Sequence, residues 1–250
     1  MLVFTDIRGL NLESGLKRAI AAIMVDISPA DIPLSLGLRC QGLGYRSAIA
    51  LKQAANQAQA PPLLAQQYLT KLVAPVPPPE LEQYWCYQGT ATTEGWLEFC
   101  LEPMSLKAWM DLCQDHFATL PPRQFPDKLG KTPLTFRFQY LQVRCRQLTE
   151  LADSCQPTGP QQWFFERLEL PSWEQTLLDC LVRFSLCLAQ GDFSERLLFQ
   201  LGQAFWDFHR YCPLFAWQRT QPRLFAHYRR WLQLIHVLFV ACLENIYGVQ

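Results

Sequence analysis

Arg137, Tyr140, Arg144 and Gln147 follow one another at spacings of three, four and three, which in a helix places them on one face. Guanidinium groups pair with phosphate and stack on bases, and a tyrosine ring offers a plane for an unpaired base. The strip therefore has the chemistry of an RNA-facing surface. The same residues would equally make a solvated helix face with an ordinary tyrosine. Arg229-Arg230, with Arg219 and Arg223 nearby, could extend such a basic surface, although arginines on helices commonly serve only to keep a surface wet.

Other chemistries find little support. His116, His209, His227 and His236 have no mutual spacing that suggests a metal site. The ten cysteines contain no C-x-x-C pair and no cysteine–histidine cluster, and read as reduced, mostly buried small hydrophobes. No motif sets a base beside a serine or cysteine nucleophile. The expectation is a protein without metal or cofactor.

Charged residues make up 18% of the 250-residue chain and balance to zero, so the overall field does not single out a polyanion. The balance hides an asymmetry. Residues 1–115 hold 8 Lys and Arg against 11 Asp and Glu, and residues 116–250 hold 14 against 11. The second half is the better candidate to meet phosphate. The start of the chain lacks the pattern of a signal peptide, and the longest apolar window, Trp231 to Leu243, contains Gln233 and His236 and is too short to cross a bilayer. These features predict a cytoplasmic protein with no membrane partner.

The positioning elements follow from periodicity. Leu12 to Val25 predicts a helix, Leu34 to Cys40 a strand, Gly42 and Gly44 a turn, and Tyr45 the start of an Ala-rich helix to about Gln57. Pro61-Pro62 opens the next helix, Leu63 to Val73, and Ala74 to Pro79 is proline-dense. Gln83 to Gln88 and Gly95 to Leu101 read as strands, and Ser105 to Phe117 as a helix. From Leu134 onward the pattern is helical only. Leu134, Phe138, Leu141, Cys145, Leu148 and Ala152 form one buried stripe, and Ser172-x-x-Gln175 and Asp192-x-x-Glu195 mark two further helix starts. Leu201, Phe205, Phe208 and Cys212 line the inner face of one helix, and Leu224, Tyr228, Trp231, Ile235, Leu238 and Cys242 that of the last. The predicted class is α+β: a small α/β domain with a short antiparallel sheet over residues 1–119, a linker over 120–133, and an antiparallel helical bundle over 134–250.

Two blocks of the second half carry a resemblance. Phe138-Gln139-Tyr140-Leu141-Gln142-Val143-Arg144 resembles the Q-Y-A-x-A-R signature that opens the DALR anticodon-binding domain of arginyl-tRNA synthetases. Leu201-Gly202-Gln203-Ala204-Phe205-Trp206-Asp207-Phe208-His209-Arg210-Tyr211-Cys212-Pro213-Leu214 is similar to the family's L-A-x-A-F-N-x-F-Y-x-x-C-P-V-L. Trp206 stands for an asparagine and His209 for a tyrosine. In the first half, Gly44-Tyr45, Pro61 to Leu72 and Gly95 to Leu101 resemble, in order, three stretches of the family's N-terminal additional domain, which touches the outer corner of tRNA.

The resemblance implies two tRNA-contacting modules, with Tyr45 and Arg46 as candidate contacts in the first and Arg137, Tyr140, Arg144, Gln147, Arg229 and Arg230 in the second. Glu98 stands where the family usually has asparagine, and a carboxylate there repels phosphate. The sequence has no H-x-G-H element and no K-M-S-K loop, so the resemblance implies a tRNA or structured-RNA binder that does not charge tRNA by itself. An adaptor for a protein partner is the alternative, compatible with 8 tryptophans and 16 phenylalanines. A half of a split synthetase is a third.

Overall fold

The structure, a computed structural model, describes residues 2–4, 11–24, 27–39, 42–72, 85–119, 133–155, 171–190 and 195–247. The chain is α+β and divides into two compact units. Residues up to Ala108 belong to the first, and the described residues from Trp109 onward to the second. The division falls inside a helix, ahead of the linker expected at 120–133, of which residues 120–132 lie outside the described set. So do the expected proline-dense stretch Ala74 to Pro79 and the helix start at Asp192.

The strands described in the first unit are β1 (Leu2–Phe4), β2 (Leu34–Arg39), β3 (Gly42–Ser47), β4 (Trp85–Ala91) and β5 (Leu97–Leu101), and its α-helices are α1 (Leu12–Ala22), α2 (Ile49–Gln57) and α3 (Pro61–Leu72). The strands form an antiparallel sheet in the order β1-β4-β5-β3-β2. Two strands correct the expectation. β1 is three residues long and shows no periodicity, and the segment read as a turn leading into a helix at Tyr45 is β3. Gly44 does not turn the chain but pairs with Gly37 on one side and Cys100 on the other. Tyr45 is thus a strand residue, and α2 begins four residues later, where the Ser47 hydroxyl accepts the Ile49 amide at 3.3 Å. Leu12, Leu16 and Ile20 of α1, Tyr45, Leu64 of α3, Tyr87, Leu97 and Phe99 fill the core. Burial pushes the Tyr87 phenol far up, so it stays neutral, and its hydroxyl donates to the Leu12 carbonyl at 3.5 Å.

The second unit is helical: the latter part of α4 (Pro103–Ala118), then α5 (Pro133–Ser154), α6 (Ser172–Gln190), α7 (Glu195–Tyr211), α8 (Leu214–Thr220) and α9 (Pro222–Tyr247). The short α8 is an addition to the expected set, and α6 starts one residue earlier than the capping box implied, with Pro171 accepting the Gln175 amide. The expected stripe of α5 is buried at Phe138, Leu141, Cys145, Leu148 and Ala152, and those of α7 and α9 are buried throughout. α9 goes further, with Phe225, His227, Leu232, Leu234 and Phe239 also inside, as befits a helix packed against α5, α6 and α8. Among the described residues no helix is long and apolar enough to cross a membrane.

Candidate nucleic-acid interface

Because the α5 stripe is inside, the residues beside it are offered to solvent. Arg137 and Gln147 are exposed, Arg144 is half-buried, and Tyr140 keeps 55% of its surface. The spacing that suggested one face therefore describes the folded helix. What it could not show is the second row. The Arg137 guanidinium lies 4.9 Å from the centre of the Phe199 ring, Tyr140 stacks on Trp206 at 6.1 Å and 26°, and Arg144 Nη2 donates to His209 Nε2 at 3.2 Å. The three contacts advance in the same sense along α5 and α7. Their approach is close: a methyl group on Gly202 would stand 2.8 Å from Leu141 Cδ1 and 3.4 Å from Phe138 Cε1.

Guanidinium and imidazole fix one another. Arginine has no acceptor, so His209 Nε2 must present its lone pair, and the ring is neutral when the bond is made. Burial first, and then the positive charge of Arg144, hold the His209 pKa below its ordinary value. The result is a pre-set row of cation, aromatic pair and cation, with Trp206 bracing Tyr140 and His209 set edge-on to Trp206 at 5.9 Å. Such a row can take a base on the tyrosine and phosphates on the arginines. Phe199, Trp206 and His209 were not among the expected site residues. Their signal was present in the sequence as spacings of seven and three on the flank of α7.

The remaining expected contacts lie elsewhere in the fold. Arg229 is 9% exposed, its Nε held at 2.5 Å by Asp153, and Arg230 meets Asp111 at 2.6 Å. Each of these charges has a carboxylate partner within the fold. Tyr45 is fully buried beside Tyr87 at 6.5 Å and presents no ring to solvent. Arg46 stands directly across from Glu98 in the β3–β5 register, 3.4 Å from its carboxylate, and lies 4.1 Å over the Trp96 ring. The unexpected carboxylate thus faces an arginine of its own sheet.

Among the described residues no three His, Cys, Asp or Glu side chains gather to hold a metal. Cys113, Cys145 and Cys242 are buried, their thiol pKa values pushed up by desolvation, and Cys180 is pushed up to about 11, by burial first and then by Asp179. They pack as small apolar groups and are poor nucleophiles. Compared with known protein families, curated proteins and solved structures, the chain finds no match.

Proposed function

We propose that this chain binds tRNA or a tRNA-like RNA through the α5–α7 face without charging it, as a relative of the tRNA-contacting modules of arginyl-tRNA synthetase. The observation that carries the reading is the exposed Tyr140 ring, braced by Trp206 and flanked on the same helix face by Arg137 and Arg144. The sequence contains no H-x-G-H element and no K-M-S-K loop to stabilise an adenylating transition state. With a formal net charge of zero, counterion release gives little drive, so affinity rests on shape and stacking and should be modest.

Equilibrium binding of the purified protein to total tRNA and to an arginine-accepting transcript, over a salt series, tests the proposal. Saturable binding should weaken with salt. Tyr140→Ala should lose about 1–3 kcal/mol, the value of one stacked base. Arg144→Ala should weaken binding and lower the salt slope by roughly one counterion. No binding at low salt would remove the RNA reading. An adaptor for a protein partner would then lead, a reading favoured by the neutralisation of Arg229 and Arg230 within the fold.

A further inference from the structure

His209 stands half-buried on α7 beside the half-buried Arg144 of α5, and its Nε2 accepts from Arg144 Nη2 at 3.2 Å. The lone pair is therefore on Nε2 and the proton of the neutral ring on Nδ1. Trp206 meets the ring edge-on at 5.9 Å and Phe205 lies tilted beside it at 6.5 Å, both from its own helix. Arg144 spends one N–H on the histidine and keeps its others for an anion.

A phosphate at Arg144 would reverse the balance of the ring. In the free protein burial first, and then the Arg144 charge, disfavour the imidazolium. A phosphate oxygen offsets the second cause and gives a protonated Nε2 an acceptor. The neighbouring charges have other engagements. On α7, Asp207 is half-buried and the exposed Arg210 lies 5.4 Å from the Tyr211 ring. On α5, Arg146 meets Glu150 at 3.7 Å. On α6, Glu174 accepts the Tyr228 hydroxyl and Asp179 meets Arg183 at 2.8 Å. α9 brings the apolar Phe239 against Phe205, and its His236 responds to Arg146 and Glu150. Arg144 is the charge that acts on His209.

We propose that RNA binding at the α5–α7 face draws one proton onto His209, which becomes a second cation on the phosphate held by Arg144. The inference rests on the RNA reading and deepens it, since the group recognised is a phosphodiester anion met by a charge that the free protein does not carry. The proton comes from solvent and adds at Nε2. The bond from Arg144 Nη2 to that nitrogen breaks, and both N–H groups turn to phosphate oxygens. A chain of formal net charge zero thereby gains one positive charge where the ligand needs it.

Calorimetric titration with the arginine-accepting transcript at about pH 6.5, the ordinary histidine value, in buffers of different ionisation heat, counts the protons taken up. Uptake should be positive and approach one. Affinity should rise from about pH 8 to about pH 5.5, by at most about tenfold per pH unit for one linked proton. The salt slope should be steeper at the acid end by roughly one counterion. In His209→Gln, whose carbonyl accepts from Arg144 and takes no proton, uptake should vanish and affinity should follow pH less, whatever its value at the alkaline end. Nitrogen-resolved NMR of the native chain should show the Nδ1–H tautomer of His209 without RNA and a higher titration midpoint in the complex. RNA binding without proton uptake, equal uptake in a folded His209→Gln, an Nε2–H tautomer in the free protein or an unraised midpoint would overturn the proposal and leave the RNA reading standing. No binding at any pH would overturn both.

Discussion

Two backbone positions show how a single residue type is demanded by its surroundings. Gly95, in the turn between β4 and β5, has φ of 92°, and a side chain there would bring its Cβ to 2.5 Å from Pro61 Cβ and 2.8 Å from the Pro61 carbonyl carbon. Conformation and space both exclude anything larger. Gly95→Ala should destabilise the first unit by about 2 kcal/mol or more, from a left-handed penalty of roughly 1–2 kcal/mol together with the overlap, and chemical denaturation would show it as a lower midpoint. Ala58 is the converse case. It ends α2 in the left-handed region at φ 47°, donating its amide to the Ala54 carbonyl, and carries a methyl group that the conformation disfavours. Ala58→Gly should raise stability by about 1 kcal/mol, an outcome opposite to that of most glycine substitutions in helices. A lower midpoint for Ala58→Gly would refute that account of the cap.

Among the elements, α5 and α7 decide whether the candidate interface exists at all, because the distance between them sets the contacts of Arg137, Tyr140 and Arg144. Gly202 is the close point. Gly202→Ala should be nearly neutral, since the gain of about 1 kcal/mol in helix propensity offsets a shift of the Leu141 methyl group. Gly202→Leu adds atoms that a packed interior cannot admit, and should cost about 1–3 kcal/mol while parting Tyr140 from Trp206. Calorimetry reads the first effect, and the tryptophan fluorescence of the native state reads the second. Loss of stability without a change at Trp206 would mean that the two rows are held together elsewhere.

For the molecule as a whole, acid is the informative perturbation. His209 and His236 both have pKa values held below the ordinary histidine value, chiefly by burial and secondarily by Arg144 and Arg146 respectively, with Glu150 acting in the opposite sense on His236. The native state then binds fewer protons than the unfolded chain. The stability this contributes is complete above about pH 6.5, the unfolded value, and is lost as pH falls through the lower folded values. Denaturation midpoints measured above and below that pH should fall with acid, and the fall should be smaller in His209→Gln, in which one of the two groups no longer titrates. An equal fall in both proteins would show that His209 carries none of the effect.

The sequence by itself determined the class and the helical faces. Stripes such as Phe138-Leu141-Cys145-Leu148 and Leu224-Tyr228-Trp231-Ile235 depend on neighbours three and four residues away, and a helix keeps that spacing in any surroundings. The same local rule put Arg137, Tyr140, Arg144 and Gln147 on one face. It could not see β3, because Gly42 and Gly44 read locally as a turn and become strand only through pairing with β2 and β5. Nor could it show that Trp206 braces Tyr140, or that Asp153 and Asp111 neutralise Arg229 and Arg230 from 76 and 119 residues away. Those partners are set by packing between distant segments, and it is they that decide which ring is exposed and which charge is left for a ligand.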